Sequence, residues 1–256
     1  MPHIVVERDG AIAVCRFNRP PANAIDLELV AELDTAFTHL TTAGDVAAIV
    51  LTGTGGSFSA GLDLKRVPHY GREQQRAMVT GINRILARLY ACPVPTVGAI
   101  NGHAIAGGLV VALACDYRIG TTAPSKLGVT EARAGIPFPA VAMSVLTAEV
   151  APHVARVLTL RANNIGPEAA LAYGLVDELQ PPERVVPAAL DVARDLAGIP
   201  QEAYGRIKRQ LRATVIAAMD EIITRGSDPA LDAWLTSDAP AASAALLRGA
   251  HRQGPR

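Results

Sequence analysis

The sequence predicts an α/β fold, and three observations predict it. Apolar runs that read as buried strands, "VAAIVLTG" (46–53), "PVPTVGAI" (93–100) and "DYRIGT" (116–121), recur along the first half of the chain. Between them lie stretches whose apolar residues repeat at helical spacing, and strands that alternate with helices imply a layered α/β core. The chain has 256 residues, of which 50% are hydrophobic and 19% charged, enough apolar matter for one large core or a core with an appendage.

The elements follow in order. "HIVVERDGAIAVCRF" reads as two strands around an Asp9-Gly10 turn, a hairpin signal. "NRPPANAID" is a proline-rich loop, and Asp26 is placed to cap a helix whose stripe is Leu29, Leu33, Phe37 and Leu40. After the 46–53 strand, "TGGSFSAGLDLK" reads as a long small-residue loop. A helix is expected over 72–89, with Met78, Ile82, Leu86 and Leu89 on one face. The 93–100 strand then runs into a glycine turn and a helix start, "NGHAIAGGLVVALACD", which carries no charge before Asp116. "KLGVTEARAGIPFPA" is irregular before it enters a helix. From about Gln201 the chain becomes helical, with Ile207, Leu211, Val215, Met219 and Ile222 on one stripe. The pattern breaks at "GSDP", and an Ala-rich helix is expected to carry Leu231, Trp234 and Leu235. The last residues, 248–256, read as a frayed tail. The organisation expected is a core over 1–195 and a helical region over 196–256 that covers the core or another subunit.

Composition excludes several classes of function. The net charge is zero and aromatic residues are 4%, so neither the basic footprint nor the stacking platforms of a nucleic-acid binder are present. Apolar runs are too short to span a bilayer. Cys15, Cys92 and Cys115 form no metal spacing and read as small buried residues of a reducing compartment, and the opening residues lack the pattern of a signal peptide. A cytoplasmic protein is expected, with no nucleic-acid or membrane partner.

The glycine turns narrow the chemistry. Gly102 and Gly107 have P-loop spacing, but Gly108 stands where the phosphate-binding Lys belongs, and no G-x-G-x-x-G is formed. Ser57 and Ser59 lack the G-x-S-x-G setting of a serine hydrolase. Two small-residue loops, each after a buried strand, instead offer backbone N–H groups that can converge on one oxygen and stabilise charge developing there.

Three blocks, "SFSAGLDLK", "NGHAIAGGLVVALACDYRI" and "LGVTEARAGIPFP", with "NRPPANAID" before them and "YGLVDE" after, resemble the crotonase, or enoyl-CoA hydratase/isomerase, family over most of residues 1–180. The resemblance implies a crotonase-like ββα superhelix with a C-terminal helical region, assembly as a homotrimer or dimer of trimers, and an acyl-CoA substrate in fatty-acid metabolism. It implies no separate cofactor, because coenzyme A is part of the substrate. It also implies the site. Leu62 and Gly107 match the positions whose backbone N–H groups form the oxyanion hole, although Ala106 replaces a family glycine. Val110 stands where hydratases carry a first glutamate, and Glu131 matches the second. Ala24, Ala60, Leu62, Asp63, Leu64, Lys65, Gly107 and Phe138 are the expected substrate contacts, with Asp63 also structuring its loop.

An apolar residue in place of the first glutamate resembles the isomerase branch of the family. Moving a double bond needs one carboxylate to take a proton from C2 and return it to C4, whereas adding water needs both an activating base and an acid. An apolar surround would raise the pKa of Glu131. The expected activity is therefore conversion of 3-enoyl-CoA to 2-enoyl-CoA. The alternatives are a hydratase with a replacement acid such as Glu149, or a scaffold that binds acyl-CoA without turnover. Lys65, Arg66 and Lys208 are candidates to meet the coenzyme A phosphates, and His103 is expected to be a core or wall residue rather than a catalyst.

Overall fold

The computed structural model of the protein describes residues 1–252, with side-chain surroundings to Arg248. The expected tail therefore lies partly outside the described residues. The hairpin forms as read, β1 (Ile4–Asp9) antiparallel to β2 (Ile12–Phe17). β2 then starts a parallel series with β3 (Ala48–Gly53), β5 (Thr96–Ile100), β7 (Tyr117–Thr121) and β9 (Glu178–Gln180), in that spatial order. β3 and β5 are buried at every position, which is why they read as continuous apolar runs rather than alternating ones.

A second, smaller sheet stacks three short parallel strands: β4 (Ser57–Ser59), β6 (His103–Ile105) and β8 (Leu127–Gly128). Each turn of the chain contributes one long strand to the first sheet, one short strand to the second, and then a helix. β3 and β4 precede α2 (Arg72–Tyr90), β5 and β6 precede α3 (Gly107–Leu113), and β7 and β8 precede α4 (Glu131–Ala134). This repeating ββα path is the spiral the resemblance implied. It corrects two readings: 54–65 is not wholly a loop, since it contains β4, and the 101–106 turn contains β6.

Helices cover both faces of the larger sheet. α1 (Leu27–Thr42) is capped by the Asp26 carboxylate, which accepts from Leu29 N at 3.0 Å, and its stripe Leu29, Leu33, Phe37 and Leu40 is buried. With α2 and α5 (Ala140–Glu149) it fills the main core. Next in the chain come α6 (Pro152–Arg161) and α7 (Pro167–Ala172). On the opposite face, Val185, Ala189 and Ala193 of α8 (Val185–Ala197) pack on Val14, Val50, Val97 and Ile119. The boundary expected at 195 thus falls inside α8.

Beyond it, α9 (Gln201–Leu211) and α10 (Ala213–Arg225) are anchored by charge more than by the expected stripe. Met219 is buried, but Ile207 is 62% and Leu211 84% exposed. Lys208 Nζ and Arg212 Nη1 instead reach Asp116 at 2.7 and 3.0 Å. Leu231, Trp234 and Leu235 do not lie on a long helix. α11 (Ala239–Arg252) begins after them, with Pro240 in its first turn, where a missing N–H is tolerated.

Candidate active site

The second sheet positions the site. Its strands are parallel, so their C-terminal ends lie together, and each end leads into one candidate residue: β4 into the loop of Leu62, β6 into Gly107, and β8 into Glu131. The crevice beyond the carboxyl ends of parallel strands is where α/β proteins hold ligands.

The first loop is held by 22–25. Ala60 N donates to Ala22 O at 2.9 Å, Ile25 N to Gly61 O at 2.7 Å, and Asp63 N to Ile25 O at 2.8 Å. This short ladder passes over Leu62 N–H, which has no partner among the described residues. Asn23, fully buried, secures the ladder: its Nδ2 donates to Thr54 O and Ser57 O, and its Oδ1 accepts from Arg19 N. Its φ of 49° is one that Asn tolerates better than most residues.

The second loop abuts the first. A Cβ on Gly61 would lie 2.7 Å from Ala106 Cβ and 3.0 Å from Gly107 N, and one on Gly108 would lie 2.2 Å from Ser59 O. Close approach of backbone to backbone thus fixes glycine at both positions. Ala106, at φ 55° and ψ −131°, makes the turn into α3, a conformation strained for a residue with a Cβ. Its carbonyl accepts from Leu109 N and Val110 N, and Gly107 N–H is left without a partner among the described residues. Two free N–H groups, those of Leu62 and Gly107, therefore sit on touching loops.

Glu131 opens α4 and is 7% exposed. Its Oε2 is buried with no hydrogen-bond partner. Burial pushes its pKa up to about 8, opposed by the backbone N–H groups of Glu131 and Thr130. A buried, unsatisfied carboxyl oxygen is costly to retain, and such groups concentrate at functional sites.

Glu131, Leu62 and Ile136 are shared by two cavities. One is an apolar cleft of about 600 Å³ that runs back between α1, α2 and α5, and Gly107 and Val110 also line it. The other, about 290 Å³, is lined by Ala60, Leu64, Ala106 and Thr130. Glu131 is the only carboxylate lining either one among the described residues.

The expected contacts therefore divide. Leu62 and Glu131 line both cavities where they join, Gly107 and Phe138 line the cleft, and Ala60 and Leu64 line the smaller cavity. Ala24, Asp63 and Lys65 line neither. Ala24 O accepts from Arg19 Nη1, Asp63 pairs with Arg19 at 2.7 Å and accepts from Lys65 N, and the Lys65 residue is exposed. Asp63 is a loop-structuring group, as also expected. Arg66 is tied to Asp26 and Glu28, and Lys208 is buried against Asp116 and Val94 O, so neither cation is free for a phosphate. Glu149 accepts from Tyr90 OH and lies near Arg118 and Arg212, outside the cleft, which removes it as a replacement acid. His103 lines neither cavity: its Nδ1 accepts from Lys126 N, and burial lowers its pKa.

Sequence reasoning missed Ile25 and Trp234, which also line the cleft. The proline-rich loop around Ile25 was a visible signal. Trp234 gave none, because it reaches the cleft from the far end of the chain.

Known proteins similar to this chain identify its family. Residues 7–228 match the family model described as enoyl-CoA hydratase/isomerase. The chain is 36% identical over 193 residues to a putative enoyl-CoA hydratase of Thermus thermophilus, covering 73% of this chain and 75% of that one. It is 27% identical over 247 residues to the short-chain-enoyl-CoA hydratase of Clostridium acetobutylicum, covering 96% and 94%. Among solved structures it is similar to human mitochondrial delta3-delta2-enoyl-CoA isomerase, with a TM-score of 0.89, 27% identity, and coverage of 99% and 100%.

Proposed function

The chain belongs to the enoyl-CoA hydratase/isomerase, or crotonase, family and is an enzyme of it, and from that premise we propose that it shifts the double bond of a 3-enoyl-CoA to the 2 position. The observation that carries this reading is the pairing of Val110 with Glu131 in one cleft that holds no second carboxylate among the described residues.

The N–H groups of Leu62 and Gly107 donate hydrogen bonds to the thioester carbonyl oxygen. Glu131 removes a proton from C2, and the electron pair moves into a dienolate whose oxygen charge the two donors stabilise. The same carboxyl group then returns the proton at C4, leaving the double bond between C2 and C3. Val110 keeps water from C3. A base whose pKa stands near neutrality is matched to taking and giving back one proton.

The substrate is an acyl-CoA, with its acyl part in the apolar cleft and its thioester arm leaving by the smaller cavity. Assembly as a homotrimer or dimer of trimers is supported by the apolar Ile207 and Leu211 exposed on α9. Among the described residues no helix is long and apolar enough to cross a membrane.

Turnover separates this reading from the other activity of the family. Purified protein is expected to convert 3-enoyl-CoA readily and to hydrate 2-enoyl-CoA far more slowly. Rapid hydration of crotonyl-CoA with 3-enoyl-CoA left untouched would overturn the isomerase assignment in favour of a hydratase, the name its relatives from Thermus thermophilus and Clostridium acetobutylicum carry.

A further inference from the structure

We propose that Trp234 is a specificity-determining residue, walling a cleft that takes an unsubstituted aliphatic acyl chain longer than four carbons. The inference rests on the acyl-thioester reading of the same site.

The cleft continues well past Glu131. Its far walls are Leu29 and Leu33 of α1, Ile82 and Leu86 of α2, and Ala142 of α5. A four-carbon acyl group carries only a methyl beyond C3 and leaves most of those walls untouched. A longer chain removes their surface from water as well as its own.

The lining offers nothing to a polar substituent. Apart from Glu131, the only polar side-chain atom among the lining residues is Trp234 Nε1, and that donates to Pro137 O at 2.8 Å. A hydroxyl or carboxylate on the chain would be stranded.

Trp234 is 1% exposed and held from both sides. Before it, the buried Asp228 carboxylate accepts from Asn83 Nδ2 at 2.7 Å on α2 and from Ala140 N at 2.8 Å on α5. After it, Leu235 N donates to Gln75 Oε1 at 3.4 Å and Thr236 Oγ1 to Gly135 O at 2.8 Å. The segment 228–236 is thus clasped onto the elements that form the cleft, and a large flat side chain fixed in this way defines how far and in which direction a chain can extend.

Trp234 is also the one tryptophan of the sequence, so its emission reports directly on the cleft. Saturated butanoyl- and octanoyl-CoA, an octanoyl-CoA with a terminal carboxylate, and free coenzyme A should be titrated with emission and heat recorded together. Octanoyl-CoA should bind at least about tenfold tighter than butanoyl-CoA, since each buried methylene contributes up to about fourfold. It should shift the emission, and free coenzyme A should not. The carboxylated chain should bind at least about a hundredfold more weakly than octanoyl-CoA. Trp234→Ala should cut the octanoyl-to-butanoyl preference about tenfold, and Trp234→Phe should restore most of it. Tight octanoyl-CoA binding with silent emission, or an unchanged preference in folded Trp234→Ala, overturns the assignment of Trp234, and a carboxylated chain that binds as tightly as octanoyl-CoA overturns the preference for an unsubstituted chain. Absence of heat with every thioester overturns the acyl-thioester reading and this inference with it.

Discussion

Glu131 is held against the preference of its own charge. Its pKa stands at about 8 instead of 4.5 because burial disfavours the carboxylate, so the folded chain keeps a proton that the unfolded chain gives up. Between about pH 4.5 and 8 the folded state binds more protons, and stability must fall as pH rises through that window, levelling above it. Glu131→Gln has no such proton to lose. Its stability relative to wild type should therefore climb from pH 5 to pH 8.5, by an amount on the order of 3–5 kcal/mol at about 1.4 kcal/mol per unit, measured by denaturant titration at several pH values. If Glu131 carries the proposed double-bond shift, the same substitution should lower kcat for that reaction by about 10²–10⁴-fold while acyl-CoA still binds. In wild type, kcat/KM should rise with pH and level near the Glu131 pKa, since the ionised form is the base. A flat profile across that range, or a variant with near wild-type turnover, would remove Glu131 from the proton transfer.

At the scale of elements, two mechanisms attach the C-terminal helices, and only one was legible. The sequence shows an apolar stripe through Ile207, Leu211 and Met219, yet the fold buries only the last of these. What pins α9 and α10 is Asp116, the charge that ends the apolar run 102–115. It accepts from Thr96 N, Tyr204 OH and Lys208 Nζ, and pairs with Arg212, whose guanidinium lies 4.0 Å over the Tyr90 ring. Periodicity cannot reveal a bond between residues some ninety positions apart. The long strands were readable because β3 and β5 are apolar throughout. The two- and three-residue strands of the second sheet are too short for any period to show, although they place all three candidate residues. Those residues were found through quoted motifs, and the touching of their loops at Gly61 emerged only in three dimensions. Asp116→Asn keeps the shape but leaves Lys208 buried without a carboxylate and Arg212 with only Glu149, at 3.6 Å. Breaking such a pair should cost about 3–5 kcal/mol of unfolding free energy. By contrast, Glu202→Gln, which breaks the exposed pair with Arg206 on the same helix, should change it by less than about 0.5 kcal/mol. Equal effects from the two substitutions would show that Asp116 is not the anchor.

For the whole molecule, the proposed assembly points to the exposed apolar residues of α9. Ile207 and Leu211 are one helical turn apart on α9 and stand 62% and 84% exposed, while the neighbouring Lys208 is turned inward to Asp116. The buried ion pair thus fixes the rotation of α9 and determines that its apolar edge faces outward. Single exposed apolar residues are ordinary, but two adjacent large ones on a rigidly held helix favour contact with another protein surface. In a closed symmetric assembly the same patch serves every copy. On the assembly proposed above, wild type is expected to sediment as a trimer or a dimer of trimers. Leu211→Glu should shift it toward monomer without loss of helical content, because the side chain it replaces contributes little to the core of its own chain. The cleft and the Glu131 junction are built within one chain, so the dissociated variant should still bind acyl-CoA. A wild type that sediments as a monomer, or a Leu211→Glu variant with unchanged assembly, would exclude this edge of α9 as the contact.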